Sequence, residues 1–202
     1  MGNIFCIIGK SSTGKDTLYQ RLLEQQDLAL KQIVSYTTRP IRAGEIEGME
    51  YHFCSQQTKE ELIAAGKVIE LRSYHTCHGI WDYFTVDDGQ IDLTRQDYLI
   101  IGTLESYSRI REYFSADKVI PIYIEVEDGV RLQRALDRER SQANPKYEEM
   151  CRRFLADAED FSAEKIREAG IEHIFYNQEL DRTLAEIAGY IKRRISHGNE
   201  SK

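Results

Sequence analysis

The stretch Gly9-Lys10-Ser11-Ser12-Thr13-Gly14-Lys15-Asp16-Thr17 follows an apolar, β-rich segment at residues 3–8 and leads into an apolar-periodic segment that opens with Leu18. It fits the pattern G-x-x-x-x-G-K in the setting of a strand, a loop and a helix. Glycines let backbone N–H groups close around phosphates, and the N-terminus of a helix adds partial positive charge. A plain turn is the alternative, but a lysine in the first helical turn is unfavourable without an anion. The stretch therefore predicts a phosphate-binding loop in which Lys15 reaches the terminal phosphoryl groups.

One position of this loop departs from the usual pattern. The motif places Ser or Thr after the lysine, where the hydroxyl binds Mg²⁺, but here Asp16 follows and Thr17 comes one place later. A carboxylate beside a triphosphate is repelled unless a cation lies between them. We therefore expect Asp16 and Thr17 to hold Mg²⁺. The alternative is that Asp16 only complements the positive end of the helix dipole and Thr17 supplies the metal hydroxyl.

Farther along the chain, apolar β-rich runs alternate with helical patterns. The runs cover residues 4–8, 98–101, 119–126 and 173–176. Apolar residues at three- and four-residue spacing mark helices at 16–25, 59–65, 106–113, 130–140, 147–158, 163–168 and 180–194. The alternation predicts an α/β fold in which helices cover both faces of a parallel sheet.

Two stretches break this rhythm. Short segments bearing Tyr, Thr and Phe, punctuated by glycines, fill residues 35–92 and predict an inserted, partly antiparallel subdomain. Polar residues at 141–146 separate two arginine-bearing helices and predict a mobile lid. We expect a core at 1–34, an acceptor-binding subdomain at 35–95, core again at 96–137, a lid at 138–150, and core with a C-terminal helix at 151–202.

Composition limits the classes of partner. The chain has 202 residues and a formal net charge of −7, which argues against a nucleic-acid polymer because such binding depends on dense Lys and Arg. It has neither the pattern of a signal peptide nor an apolar run of the ~20 residues that a membrane span needs. We expect a cytoplasmic protein with no membrane partner. The four cysteines are scattered, so neither a disulfide framework nor a zinc site is predicted.

A second motif lies in the inserted stretch, Ser35-Tyr-Thr-Thr-Arg39-Pro-Ile-Arg42-Ala-Gly44-Glu45-Ile-Glu-Gly48-Met-Glu-Tyr51-His-Phe53. It places two arginines three residues apart beside hydroxyl groups. The planar guanidinium fork of arginine suits phosphate, although a solvated charged turn has the same composition. Together with the phosphate loop, the motif favours a second site for a phosphorylated acceptor.

This motif resembles the guanylate kinase family, phosphate-loop kinases whose acceptor segment has the form S-x-T-T-R-x-x-R-x-G-E-x-x-G-x-x-Y-x-F. The resemblance covers roughly residues 3–195, through the arginine-bearing lid to Tyr176-Asn177-Gln178-Glu179-Leu180-Asp181. It implies phosphoryl transfer from ATP, the co-substrate, to a nucleoside monophosphate, with GMP foremost. It also implies Mg²⁺ as cofactor, small-molecule nucleotides as partners, and a monomer or homodimer.

The resemblance assigns roles to residues. Those implied to hold the acceptor phosphate are Ser35, Arg39, Arg42 and Tyr51, while Glu70 is implied to accept hydrogen bonds from the guanine edge. Those implied to bind ATP are Gly9, Ser11, Ser12, Thr13, Gly14, Lys15, Asp16, Thr17 and Asn177. Of the lid-region arginines 134, 138, 140, 152 and 153, we choose Arg138 and Arg153 to act with Lys15 on the transferred phosphoryl group.

Departures from the family pattern leave two rivals open. Next to Gly79 the family has a tyrosine and a serine, whereas this chain has His78 and Ile80, and Ile80 cannot hydrogen-bond guanine. The family's Asp-x-Asp pair is replaced by Gly102-Thr103-Leu104-Glu105. The rivals are a kinase of the same fold with another small phosphorylated acceptor, and a non-catalytic binding module. The intact phosphate loop argues against the second.

Overall fold

The computed structural model describes residues 1–42, 44–76 and 79–200, so His78 lies outside the described residues. In chain order its elements are β1 (Ile4–Gly9), α1 (Lys15–Leu23), β2 (Lys31–Gln32), β3 (Tyr36–Thr37), β4 (His52–Phe53), α2 (Gln56–Ala64), β5 (Val68–Thr76), β6 (Gly79–Val86), β7 (Tyr98–Gly102), α3 (Leu104–Phe114), β8 (Val119–Glu125), α4 (Asp128–Arg140), α5 (Tyr147–Asp160), α6 (Ala163–Glu168), β9 (Ile174–Tyr176) and α7 (Leu180–Glu200).

The core is a five-stranded sheet with the order β2-β7-β1-β8-β9, and all of its pairings are parallel. Strand β1 at its centre is fully buried, as expected for a parallel strand covered on both faces. One apolar cluster packs α3 against the sheet through Tyr107 and Ile110, and the other packs α1 and α7 through Leu18 and Ile187. The predicted α/β fold with helices on both faces is confirmed.

The inserted residues form a second sheet with the order β4-β3-β6-β5. Strands β5 and β6 pair antiparallel, β3 pairs antiparallel with β6, and β4 runs parallel to β3. Ile69 of β5 packs against the core cluster that contains β1 and α3. Strand β5 therefore ties the second sheet to the face of the core that α3 covers.

Helix caps explain where some predicted boundaries moved. Helix α2 begins at Gln56, three residues before the predicted start, because the Ser55 hydroxyl accepts a hydrogen bond from the Thr58 N–H. Helix α3 begins at Leu104 because Thr103 and Ser106 cap each other reciprocally. No helix among the described residues is long and apolar enough to cross a membrane.

Candidate functional site

The phosphate loop presents an uncapped helix end. Helix α1 begins at Lys15, its N-cap Gly14 has φ 84°, and no side chain hydrogen-bonds to the cap within the described part of the chain. The first-turn N–H groups are therefore available to an anion. Gly14 has no room for a side chain, since a Cβ there would lie 2.6 Å from Asn177 Nδ2. Ser12 also has a positive φ, of 64°, a backbone conformation that residues other than glycine rarely adopt.

A buried ion pair between Arg131 and Asp157 holds the backbone of the phosphate loop in place. The Ser11 N–H donates to Asp157 Oδ2 at 2.8 Å, and Arg131 Nη1 donates to the Ser11 carbonyl at 2.9 Å. Arg131 and Asp157 join each other at 3.1 Å, and the Arg131 side chain is 1% exposed. Its guanidinium also stacks 4.8 Å from the Phe154 ring centre. Helices α4 and α5, on either side of the predicted lid segment, thus hold both backbone groups of one loop residue.

Asn177, at the end of β9, supports the loop from the other side. Its Nδ2 donates to the Thr13 carbonyl at 2.7 Å, and its backbone N–H donates to Glu125. The Asn177 Oδ1 is buried and has no hydrogen-bond partner among the described residues. This residue therefore braces the loop with one end of its amide and keeps the other end available.

Two predicted arginines face the loop. A cavity of about 330 Å³ lies in front of α1, and its walls include Asp16, Thr17, Arg134 and Arg138. A smaller space beside it is lined by Ser11, Ser12, Arg138 and Arg153. Arg138 therefore borders both spaces. Arg140 and Arg152 pair with surface carboxylates of their own helices, and Arg153 also lies 3.4 Å from Glu149 of its helix.

Oxygen ligands suited to Mg²⁺ lie at the mouth of this cavity. The Asp16 side chain is 84% exposed, and its carboxylate lies 3.8 Å from Lys15 Nζ. Among the residues described, no group of three or more His, Cys, Asp or Glu side chains converges as a metal cluster. Mg²⁺ commonly uses one or two carboxylates and completes its shell with substrate phosphates and water. Asp16 and Thr17 fit that arrangement.

The strand end where the family carries Asp-x-Asp serves a different purpose here. A Cβ at Gly102 would lie 2.3 Å from Ser106 Oγ, so no larger residue fits without displacing the cap of α3. The following Thr103 accepts a hydrogen bond from the Ser106 N–H. This segment starts helix α3. The two acidic positions of the Asp-x-Asp pattern are occupied here by Gly102 and Leu104, which carry no carboxylate.

The acceptor motif folds around a buried ion pair. Arg39 donates to both oxygens of Glu45, at 2.7 and 2.6 Å, and its guanidinium lies 5.1 Å from the Tyr51 ring centre. These hydrogen bonds hold the pKa of Glu45 at about 2, well below its usual range. Burial raises the pKa of Tyr51, so its phenol stays a neutral donor. Arg42, by contrast, is exposed at the surface.

Glu70 and its neighbour two residues along β5 form a second buried pair. Arg72 Nε donates to Glu70 Oε2 at 2.9 Å, and Arg72 Nη2 donates to Glu70 Oε1 at 3.2 Å. Thr85 of β6 donates to Oε1 at 2.8 Å, and the Ser35 hydroxyl lies 3.4 Å from that of Thr85. Burial raises the pKa of Cys6 in β1 to about 12, with Arg72 lowering and Glu70 raising it, which places the pair beside the central strand.

The structure thus brings the predicted loop residues and Arg138 and Arg153 together, and it gathers Ser35 and Glu70 on one side of the second sheet. Sequence reasoning missed Arg131, Asp157 and Arg72. Nothing local marks Arg131 or Asp157, because their partner in the loop is more than a hundred residues away. Arg72 carried a usable signal, since residues two apart on a strand lie on the same face.

Known proteins support the resemblance. The family model for guanylate kinase matches residues 1–84. A guanylate kinase of Cupriavidus pinatubonensis is 26% identical over 195 residues, covering 95% of this chain and 83% of that protein. One of Paraburkholderia xenovorans is 27% identical over 190 residues, covering 92% and 77%. One of Neisseria gonorrhoeae is 49% identical, but over 69 residues, about a third of each chain.

A solved structure shows the same fold. The crystal structure of guanylate kinase from Anaplasma phagocytophilum superposes with a TM-score of 0.65 at 21% identity, covering 95% of this chain and 85% of that one. The higher identities come from shorter matches, while the fold and the lower identities extend over nearly the whole length.

Proposed function

We propose that this chain transfers a phosphoryl group from ATP to a nucleoside monophosphate, with GMP as the principal acceptor. The premise is its similarity to guanylate kinases along nearly its whole length. The observation that carries the proposal is the uncapped end of α1, which faces a cavity bordered by lid-region arginines. The acceptor's phosphate oxygen attacks the γ-phosphorus, and the bond to the β–γ bridging oxygen breaks as ADP leaves.

Such a transfer depends on positioning and on neutralising charge, so no general base is needed. In the proposed mechanism Lys15 approaches the terminal phosphates from the loop, while Arg138 and Arg153 approach from the lid helices. Ser12, Thr13 and Gly14 supply backbone N–H groups to the ATP phosphates, and Asn177 supports that geometry. Closure of the lid excludes water that would otherwise hydrolyse ATP.

Asp16 and Thr17 are the proposed magnesium ligands. Bound there, Mg²⁺ would neutralise charge that develops on the phosphates during transfer. Asp16 contributes a carboxylate on the exposed side of the helix end, and Thr17 contributes a neutral hydroxyl beside it. The arrangement compensates for the strand end at Gly102, which has no room for an acidic side chain.

The acceptor phosphate is proposed to bind Arg39, Arg42, Tyr51 and Ser35. Arg39 is already fixed by Glu45 and stacked on Tyr51, so it offers an oriented cation. The exposed Arg42 offers a second cation that is free to move toward the ligand. The buried Glu70 is the proposed carboxylate of the base-reading end.

A coupled ADP-release assay tests the proposal directly. GMP, dGMP, IMP, AMP, CMP, UMP and dTMP are offered in turn with Mg-ATP, and Lys15→Ala serves as the control for contaminating kinases. We expect GMP to be phosphorylated and pyrimidine nucleotides to be poor acceptors. Turnover of a different small phosphorylated acceptor alone would favour the rival kinase. A protein that binds nucleotides and turns over none would be a binding module.

A further inference from the structure

A buried cation lies directly beside Glu70, the carboxylate that the resemblance assigns to the guanine edge. Arg72 and Glu70 form a two-point ion pair, and their side chains differ in accessibility: Arg72 is 12% exposed and Glu70 is 1% exposed. Arg72 is therefore the more accessible member of the pair.

The geometry of the pair limits what Glu70 still accepts. An ionised carboxylate has about four lone-pair positions. Arg72 occupies one on each oxygen, in the parallel two-point mode, and Thr85 occupies another on Oε1. The N1–H and 2-amino groups of guanine form a fork of the same kind, so they need the positions that Arg72 already fills. One lone pair on Oε2 is left, enough for a single donor.

Arg72 has donors left over. A guanidinium carries five N–H donors in one plane, and two of them bind Glu70 in the described part of the chain. The remaining edge, formed by Nη1 and the second N–H of Nη2, is a two-point donor that matches two adjacent acceptors. The O6 and N7 atoms of a 6-oxopurine are such a pair and are arginine's commonest two-point partner among the bases.

We propose, as an extension of the function proposed above, that Arg72 is the specificity-determining residue of the acceptor site. Glu70 and Thr85 hold its guanidinium in place, and its free edge reads the 6-oxo face of the purine. Glu70 acts on the base through Arg72. Because the fork of Glu70 is occupied, the 2-amino group of guanine is not read, so the acceptor class widens from GMP to 6-oxopurine monophosphates and includes IMP. AMP is rejected, since its 6-amino group presents a donor to the donors of Arg72.

The proposal is tested with the parent chain, Arg72→Gln, Arg72→Lys and the control Arg95→Gln, whose arginine pairs with Asp92 on the surface. For each we would measure kcat/KM with GMP, IMP and AMP, binding of the same nucleotides by calorimetry, and thermal unfolding. In the parent we expect GMP and IMP to agree within about tenfold and AMP to be at least about a hundredfold poorer. Arg72→Gln is expected to reduce the preference for 6-oxopurines over AMP by at least about tenfold.

Arg72→Lys separates reading from charge compensation. Lysine keeps the positive charge beside Glu70 but lacks the planar fork. We expect it to fold like the parent and to lose the 6-oxopurine preference. Full rescue of the preference by lysine, or an equal loss for all three nucleotides in Arg72→Gln, would assign Arg72 a structural role and overturn the proposal. A parent that favours GMP over IMP by more than about a hundredfold would do the same, because the 2-amino group would then be read.

The two proposals fail in different ways. If the parent turns over no nucleotide, the kinase assignment fails, whereas the calorimetric ratios of GMP, IMP and AMP still decide the role of Arg72. If the parent is a kinase whose GMP-to-AMP ratio does not depend on residue 72, the kinase assignment stands and the Arg72 proposal falls.

Discussion

At the scale of single residues, the start of α1 places opposite charges next to each other. Lys15 and Asp16 lie 3.8 Å apart, and no other residue of the predicted loop is charged apart from Lys10, which faces Glu125 and Asp128. Under the proposed function Lys15 is the loop's cation for a phosphate ligand, and Asp16 is the carboxylate that would bind the metal ion. Substitutions at these two positions separate the two roles.

Lys15→Ala removes the loop cation without disturbing the core. Because charge on the γ-phosphoryl group grows during transfer, we expect turnover to fall by at least about a hundredfold, or ~2.7 kcal/mol of transition-state stabilisation. The measurement is kcat in the coupled assay. The matched control is Lys165→Ala, whose lysine pairs loosely with Asp160 on the surface, and it should keep parent turnover. Near-parent turnover of Lys15→Ala would remove this residue from the mechanism.

Asp16→Asn keeps the shape of the side chain and removes its charge. If the carboxylate binds Mg²⁺, turnover should fall and half-saturation should move to a higher Mg²⁺ concentration, since one anionic ligand is lost. If Asp16 serves only the helix dipole, the variant should lose about 0.3–1 kcal/mol of stability and keep normal kinetics. A magnesium titration decides between them: a curve that overlays the parent curve at equal turnover excludes the metal role.

At the scale of elements, helices α4 and α5 support the phosphate loop through an ion pair between them. Arg131 comes from α4, Asp157 from α5, and both bind the backbone of Ser11. Sequence patterns predicted both helices and the polar break between them, because apolar spacing and lid composition are local. They did not predict the ion pair between the two helices, since the sequence pattern of an amphipathic helix is the same whether a charged residue faces water or a buried loop.

Arg131→Met should reveal how much the ion pair between α4 and α5 contributes to the free energy of unfolding. Removing the guanidinium leaves the Asp157 carboxylate without its cation, although the Ser11 N–H still binds it. We expect the free energy of unfolding to fall by about 3 kcal/mol, near the lower end for a broken buried pair. Urea unfolding measures this. Arg140→Met, on the same helix but exposed, should change stability by less than about 0.5 kcal/mol. Equal effects of the two variants would contradict a structural role for the buried pair.

At the scale of the whole molecule, we expect stability against acid unfolding to depend on the Arg39–Glu45 ion pair of the acceptor motif. Hydrogen bonds from Arg39 lower the pKa of Glu45 from its ordinary 4.5 to about 2. The unfolded chain therefore binds a proton at Glu45 at a higher pH than the folded chain does. The stabilisation is complete above the ordinary value and is lost as the pH falls toward 2.

Glu45→Gln tests this linkage. The difference in unfolding free energy between parent and variant should be largest near pH 6 and should shrink by about pH 3, because the parent then loses its advantage. Chemical unfolding at a series of pH values provides the curve. Glu60→Gln, in an exposed part of α2, should show a difference that does not depend on pH in this way. A pH-independent difference for Glu45→Gln would rule out the lowered pKa.

How much the sequence predicts depends on how far apart along the chain the residues of each feature lie. The phosphate loop and the acceptor motif were predictable because their chemistry lies within contiguous residues of fixed spacing. Strand β2 was not, since two residues show no periodicity and only β7 beside it defines the strand. The Arg72–Glu70 pair lies between these cases. Its two-residue spacing placed both side chains on one face, but their mutual contact depends on the partner strand that carries Thr85.

The supports of the phosphate loop also govern when it forms. Its hydrogen bonds to Arg131, Asp157 and Asn177 span 120, 146 and 164 residues. During synthesis the loop sequence leaves the ribosome before Arg131, Asp157 and Asn177 do. At ~5–20 residues per second, a nascent chain spends many seconds with the motif complete and its scaffold missing. A ligand that needs the braced loop would therefore stabilise the chain only after the segment that carries Asn177 has docked, so it would act late in folding and would not nucleate it.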